Sequence, residues 1–212
     1  FKGISIQQDF QVQTGPLSLR QTSKNLFPLF VSLTGMFVGI AAIESALTSF
    51  LPTYLTVKGI SLWAAGASLS LLQMGGIAGS MLAGPLSDRL GRKNILFIIV
   101  VTIPVLMWLF ILNSGILLIP LLILLGLFLF GLRPVVLAIV HETNSDYPAY
   151  VNGIYMMINF VTNSLMILGM GALGDSIGLD NTYRVAAIVS MGAIFFALRL
   201  PGRLSFHRWS RA

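Results

Sequence analysis

Residues 84–93 read Gly84-Pro85-Leu86-Ser87-Asp88-Arg89-Leu90-Gly91-Arg92-Lys93 and lie between two long apolar runs. Chemically this is a tight helix–loop–helix turn. Gly84 and Gly91 permit close backbone approach and a positive φ. Asp88 can face a helix N-terminus, where negative charge is favoured. Arg89, Arg92 and Lys93 would hold such a turn on the cytoplasmic side of a membrane. Charge bias alone asks for basic residues there; it does not ask for an Asp and two Gly at this spacing.

Outward from this stretch the chain stays apolar. A span needs roughly 20 apolar residues to cross a hydrocarbon core of about 30 Å. Six runs qualify, at about Leu26–Leu51, Ser61–Gly84, Asn94–Leu112, Ile116–Val140, Tyr150–Gly174 and Tyr183–Leu200. Turn chemistry bounds them: Lys58-Gly59, Asn113-Ser114-Gly115, Asp146-Tyr147-Pro148 and Gly178-Leu179-Asp180-Asn181. The runs are continuously apolar rather than alternating, which selects helices over a barrel. The expected fold is therefore an all-α integral membrane domain of six transmembrane helices.

Composition agrees. Of 212 residues, 56% are hydrophobic and 9% charged, against roughly 25% charged in a soluble domain. That excludes an ordinary soluble enzyme, a disordered tail and a nucleic-acid-binding domain. There is no Cys, so disulfides and thiolate metal sites are absent. His141 and His207 offer no metal site, and no GxxxxGK[ST], HExxH or GxSxG run is present. Neither an enzyme nor a cofactor is expected.

Orientation follows from the basic residues. With the N-terminus inside, Lys2, Arg20, Lys24, Arg89, Arg92, Lys93, Arg199, Arg203, Arg208 and Arg211 are cytoplasmic, and only Lys58 and Arg184 lie outside. Arg133 falls within a span. This positive-inside bias puts both termini in the cytoplasm and suits a multi-pass protein of the cell (inner) membrane. Residues 1–25 read as a cytoplasmic linker, 26–205 as the six-helix domain and 206–212 as a basic tail. The chain begins with Phe1, and the sequence reads as a piece of a longer one.

Gly171-Ala172-Leu173-Gly174-Asp175-Ser176-Ile177-Gly178 repeats the frame G-x-L-x-D-x-x-G, 87 residues after Gly84. This copy lies between spans 5 and 6, falls outside and lacks the basic residues. Gly171, Asp175 and Gly178 thus echo Gly84, Asp88 and Gly91. Spans 1–3 and 4–6 read as one unit used twice in opposite orientation.

The run 84–93 resembles the loop signature of the major facilitator superfamily, G-x-L-x-D-R-x-G-R-K, at every fixed position. The resemblance implies half of a twelve-helix transporter that works by alternating access. Ala138-Ile139-Val140-His141-Glu142, followed by Asn152-Gly153-Ile154-Tyr155, is similar to the junction of spans 10 and 11 in drug-efflux members, nearest the fosmidomycin-resistance branch. With the polar leader resembling a central loop, this implies the C-terminal half, whose partner is a missing N-terminal six-helix half. The implied function is proton-coupled efflux (antiport) of a small organic solute. Uptake of an anionic metabolite and a non-transporting membrane scaffold are the alternatives.

Candidate site residues follow from cost. Glu44 is an acid inside span 1, and intramembrane acids face a cavity or a partner. It is a candidate proton-coupling group, with hydration by Ser45, Thr48 and Ser49 near the outer water as the bland alternative. Arg133, before Pro134 in span 4, suits an anionic substrate or an internal acid, or snorkels to headgroups. Counted from the span ends, the two differ in depth by roughly 10–15 Å, so no direct salt bridge between them is expected. Asn152, Tyr155, Asn159, Thr162 and Asn163 share one face of span 5 and line a cavity or bond neighbouring helices. Gln73 is a weaker candidate. Gly75, Gly76, Gly79, Ser80 and Gly84 read as a packing ladder, and Trp63 and Trp108 as packing or interface residues. The resemblance further implies that Glu142 pairs with Arg92, or Arg89, and that Asp88 faces a helix N-terminus in the missing half. Together with Lys93 these would form a conformational latch.

Overall fold

A computed structural model describes residues 19–113, 115–142 and 147–199. The polar leader before Leu19 and the basic tail lie outside the described residues. Seven α-helices follow in order: α1 (Leu19–Ser49), α2 (Leu51–Val57), α3 (Leu62–Leu90), α4 (Arg92–Leu112), α5 (Leu118–His141), α6 (Pro148–Ile177) and α7 (Leu179–Arg199), with a 3-10 turn at Gly115–Leu117. All but α2 are long and apolar enough to cross a membrane. The first begins at Leu19, so helix enters the stretch read as linker.

The main departure from the sequence reading is at the motifs. Residues 84–90 are not a loop; they are the last two turns of α3. Hydropathy falls there, but Leu86-Ser87-Asp88-Arg89-Leu90 has no helix breaker after Pro85, and Ser87 Oγ donates back to the Gly84 carbonyl at 2.7 Å. At 29 and 30 residues, α3 and α6 are about 44 Å long and outrun a hydrocarbon core of about 30 Å. The turn collapses to one residue. Gly91 has φ +92°, Gly178 has φ +81°, and each joins two helices directly. That conformation is open to glycine and strained for other residues. Gly84, by contrast, is helical, with open space where a Cβ would stand.

Packing repeats as the sequence frame does. α3 packs on α5 as α6 packs on α1. α4 packs on α5 as α7 packs on α1, and α4 and α7 meet each other. Exchanging α1, α3, α4 with α5, α6, α7 maps this set onto itself. This is the inverted repeat of two three-helix units. The Gly91 corner lies at one end, called inner here after the charge bias, and the Gly178 corner at the other, called outer.

The α3–α5 contact is the closest. A Cβ at Gly79 would overlap the Leu127 carbonyl, and one at Gly126 the Leu72 carbonyl, so backbone meets backbone as small-residue membrane packing requires. Apolar side chains from all seven helices fill one continuous core. The buried serines Ser45, Ser68 and Ser190 each donate to a carbonyl one turn back, which hides a polar group without a partner helix.

Candidate functional site

Glu44 and Arg133 meet. Arg133 Nη2 donates to Glu44 Oε1 and forms a salt bridge. This corrects the sequence expectation, and the reason is the helix end. A depth counted from Leu51 stops short, because the helical ladder continues through the junction, with Phe50 N–H bonding the Ala46 carbonyl and Tyr54 N–H the Phe50 carbonyl. The ladder runs on to Val57, at the end of α2. Glu44 lies 13 residues before it and Arg133 15 residues after Leu118, or roughly 20 and 22 Å.

The two charges sit on repeat-equivalent helices, α1 and α5, which are not packed side by side. Their separation of 89 residues is within two of the 87-residue repeat. Near-equivalent positions meet only near the pseudo-twofold axis, which for an inverted repeat lies in the membrane plane. The pair therefore sits near the pseudo-twofold axis that relates the two three-helix units.

Its surroundings are a narrow cleft lined by Phe37, Ile40, Ala41, Leu129, Leu132, Asn159 and Asn163. The Glu44 side chain is 14% exposed and that of Arg133 46%. The Arg133 guanidinium also lies 5.7 Å from the Phe130 ring centroid, a cation–π distance. Such an arrangement pairs an acid with its counter-ion in a cleft that two amide side chains of α6 also line.

The polar stripe of α6 divides. Asn159 and Asn163 reach the cleft. Tyr155 is buried against Phe37, ring centroids 5.9 Å apart, and Thr162 is buried as well. Asn152 Oδ1 is buried with no hydrogen-bond partner among the described residues. Gln73 is exposed on α3 and does not line the cleft. Phe130 was absent from the sequence reading; its one signal is the spacing of three residues before Arg133.

A second cluster forms at the inner corner. Arg92 opens α4 and donates Nη1 to the Ala138 carbonyl near the end of α5, at 2.6 Å. Its Nε lies 3.2 Å from Glu142 Oε1 and its Nη2 3.1 Å from Asp88 Oδ1. One guanidinium thus ties α3, α4 and α5 together. Asp88 reaches Arg92 while its side chain stays 60% exposed. Arg89 is exposed on the last turn of α3, and Asn94 Nδ2 caps that helix at the Leu90 carbonyl.

A third cluster, which the sequence did not mark, closes the outer end. Tyr54 and Tyr183 stack at 3.9 Å, with interplanar angle 8°, and Phe110 lies 6.0 and 6.3 Å from them. Lys58 bridges to Asp180 at 3.4 Å, its ammonium 4.5 Å from the Tyr54 ring centroid. Burial raises the Tyr54 phenol above 10.0, against the pull of Lys58. Burial would lower the Lys58 ammonium, but Tyr54 and Asp180 together outweigh it and raise it above 10.5. Asp175 is exposed just before this corner.

Comparison with known families gives a direct result. The family model for the Major Facilitator Superfamily matches residues 6–165 and 75–210, two overlapping matches that together cover most of the chain. The chain belongs to the Major Facilitator Superfamily. A comparison with curated proteins returned no match. As a member of this superfamily it is a multi-pass integral membrane protein of a transporter family, and its six spans in two inverted three-helix repeats have the architecture of one half of the superfamily fold. Superfamily members are generally transporters rather than enzymes.

Proposed function

We propose that this chain is the C-terminal half of a secondary transporter that moves a small organic solute against a proton gradient by alternating access. The observation that carries the reading is the Glu44–Arg133 ion pair in a cleft between membrane-spanning helices. An intramembrane carboxylate is costly and marks a substrate, ion or proton pathway. Glu44 is the proton-binding group and Arg133 its counter-ion; Asn159 and Asn163 supply hydrogen bonds to the solute from the opposite wall. Solute and proton compete for this constellation, which couples their movements.

Outward transport is the first reading, supported by the similarity of residues 138–142 and 152–155 to the drug-efflux junction. The pair itself favours a second: once Glu44 is protonated, Arg133 is free to take an organic anion, which gives proton–anion uptake. The Arg92 cluster acts as the inner latch. It biases the two-state equilibrium only by the difference in its energy between states.

The test uses the complete native protein in liposomes loaded with the pH dye pyranine. Ethidium serves as an organic cation and methylphosphonate as an organic anion. Efflux predicts that ethidium moves against protons. Uptake predicts that methylphosphonate and protons move together. Solute movement that carries no protons in either case contradicts the coupling.

A further inference from the structure

The two ends of the bundle use one device in two materials. At the inner end, the first residue of α4 sends Arg92 to the Ala138 carbonyl, which also accepts from Glu142 N–H four residues on. At the outer end, the first turns of α7 send Tyr183 to the Ala46 carbonyl, Oη to O 2.7 Å, which also accepts from Phe50 N–H four residues on. Since α7 is to α1 as α4 is to α5, these are repeat-related clamps: the third helix of a unit pins the last turns of a first helix. Each has an ion pair beside it, Arg92–Glu142 and Lys58–Asp180, with the charges exchanged between the third and the first helix.

The materials differ in strength. The inner clamp is ionic and partly exposed, with Arg92 26% and Glu142 55% exposed, a class of contact that salt and water weaken. The outer clamp is aromatic and dry: Tyr183 is 0%, Phe110 1% and Tyr54 2% exposed. Stacked rings in a dry core add to the area they bury. The segment pinned here needs it. Pro52 has no N–H to give the Thr48 carbonyl, and Ser45 and Thr48 bond back to the Ala41 and Glu44 carbonyls, which bends helices. Ala46 is two residues beyond Glu44.

We infer that Tyr183, held by its stack on Tyr54, is a positioning residue for the Glu44 carboxylate, and that it fixes the outer end of α1 so that opening within this bundle occurs at the inner, Arg92 end. This rests on Glu44 as the coupling group, but its test does not use transport. In the full native protein in lipid nanodiscs, infrared titration follows the Glu44 carboxyl, identified by its loss in Glu44→Gln. Hydrogen exchange follows the backbone of residues 46–58 and 88–96. Tyr183→Phe keeps the ring and removes the hydroxyl. The expected result is a moved Glu44 titration midpoint and exchange at 46–58 raised roughly fivefold, the scale of one hydrogen bond, with 88–96 unchanged. An unmoved midpoint, or exchange rising equally at both ends, overturns the inference. Should Tyr183→Phe not fold, Tyr54→Leu, which removes the stack, carries the same expectations. A moved midpoint in a protein whose Glu44→Gln form transports normally would sink the coupling role and leave the positioning intact.

Discussion

Replacing Arg133 by Met keeps the side-chain bulk and removes the charge. Glu44, 14% exposed, is then left as an unpaired carboxylate in a cleft whose other polar groups are the amides of Asn159 and Asn163. Breaking a fully buried pair costs about 3–5 kcal/mol. Arg133 is 46% exposed, so the pair is not fully buried in this bundle and the expected loss is about 2 kcal/mol. For a chain of this size that is a fall in melting temperature of about 4–8 °C. The reverse deletion is milder. Glu44→Gln leaves an Arg with its head near an opening and its guanidinium beside Phe130, which costs under about 1 kcal/mol. The double variant has no stranded charge and should regain most of the Arg133→Met loss, a coupling of about 1–2 kcal/mol. Thermal unfolding of the detergent-solubilised protein at pH 7.5, followed by tryptophan fluorescence, measures all three. Equal losses from the two single variants, or additivity in the double, would refute the pairing.

Other expectations follow from other parts of the bundle. Gly79→Ala forces a methyl group into the Leu127 carbonyl, so α3 and α5 must separate; a loss of about 2 kcal/mol or more is expected in the same unfolding assay, while Gly84→Ala, facing open space, should be near neutral. Asp88→Asn and Glu142→Gln each remove one partner of Arg92 and should slow turnover more than they weaken solute binding, measured by separating kcat from KM; a pure binding defect argues against a latch. Stability should fall as pH rises past about 10. Tyr54 and Lys58 hold their protons more tightly folded than unfolded, so the unfolded state releases them first and gains. Tyr54→Phe with Lys58→Gln should flatten that alkaline limb of the melting profile.

Much of this was legible because hydropathy is a long, additive signal. The six spans and the glycine corners at 91 and 178 could be read directly, and the 87-residue frame pointed to the repeat that the packing of α3 on α5 and α6 on α1 displays. What was missed depended on where helices end. Residues 84–90 read as a loop because they are polar, yet a helix does not stop where lipid stops. The separation expected between Glu44 and Arg133 has a similar origin: the backbone ladder runs on past the first span through Phe50 into the short α2, so a count from Leu51 misplaces Glu44. The Tyr54–Tyr183 stack was beyond reading: its rings are 129 residues apart in sequence, and each tyrosine alone looks like any interfacial aromatic.

The most direct test of the central claim is proton coupling in Glu44→Gln. Proteoliposomes of the complete native protein are assayed for pH-driven solute flux and for solute exchange without a gradient. If Glu44 carries the coupled proton, Glu44→Gln abolishes pH-driven flux and retains exchange. Undiminished pH-driven flux in that variant would remove the Glu44–Arg133 pair from the mechanism.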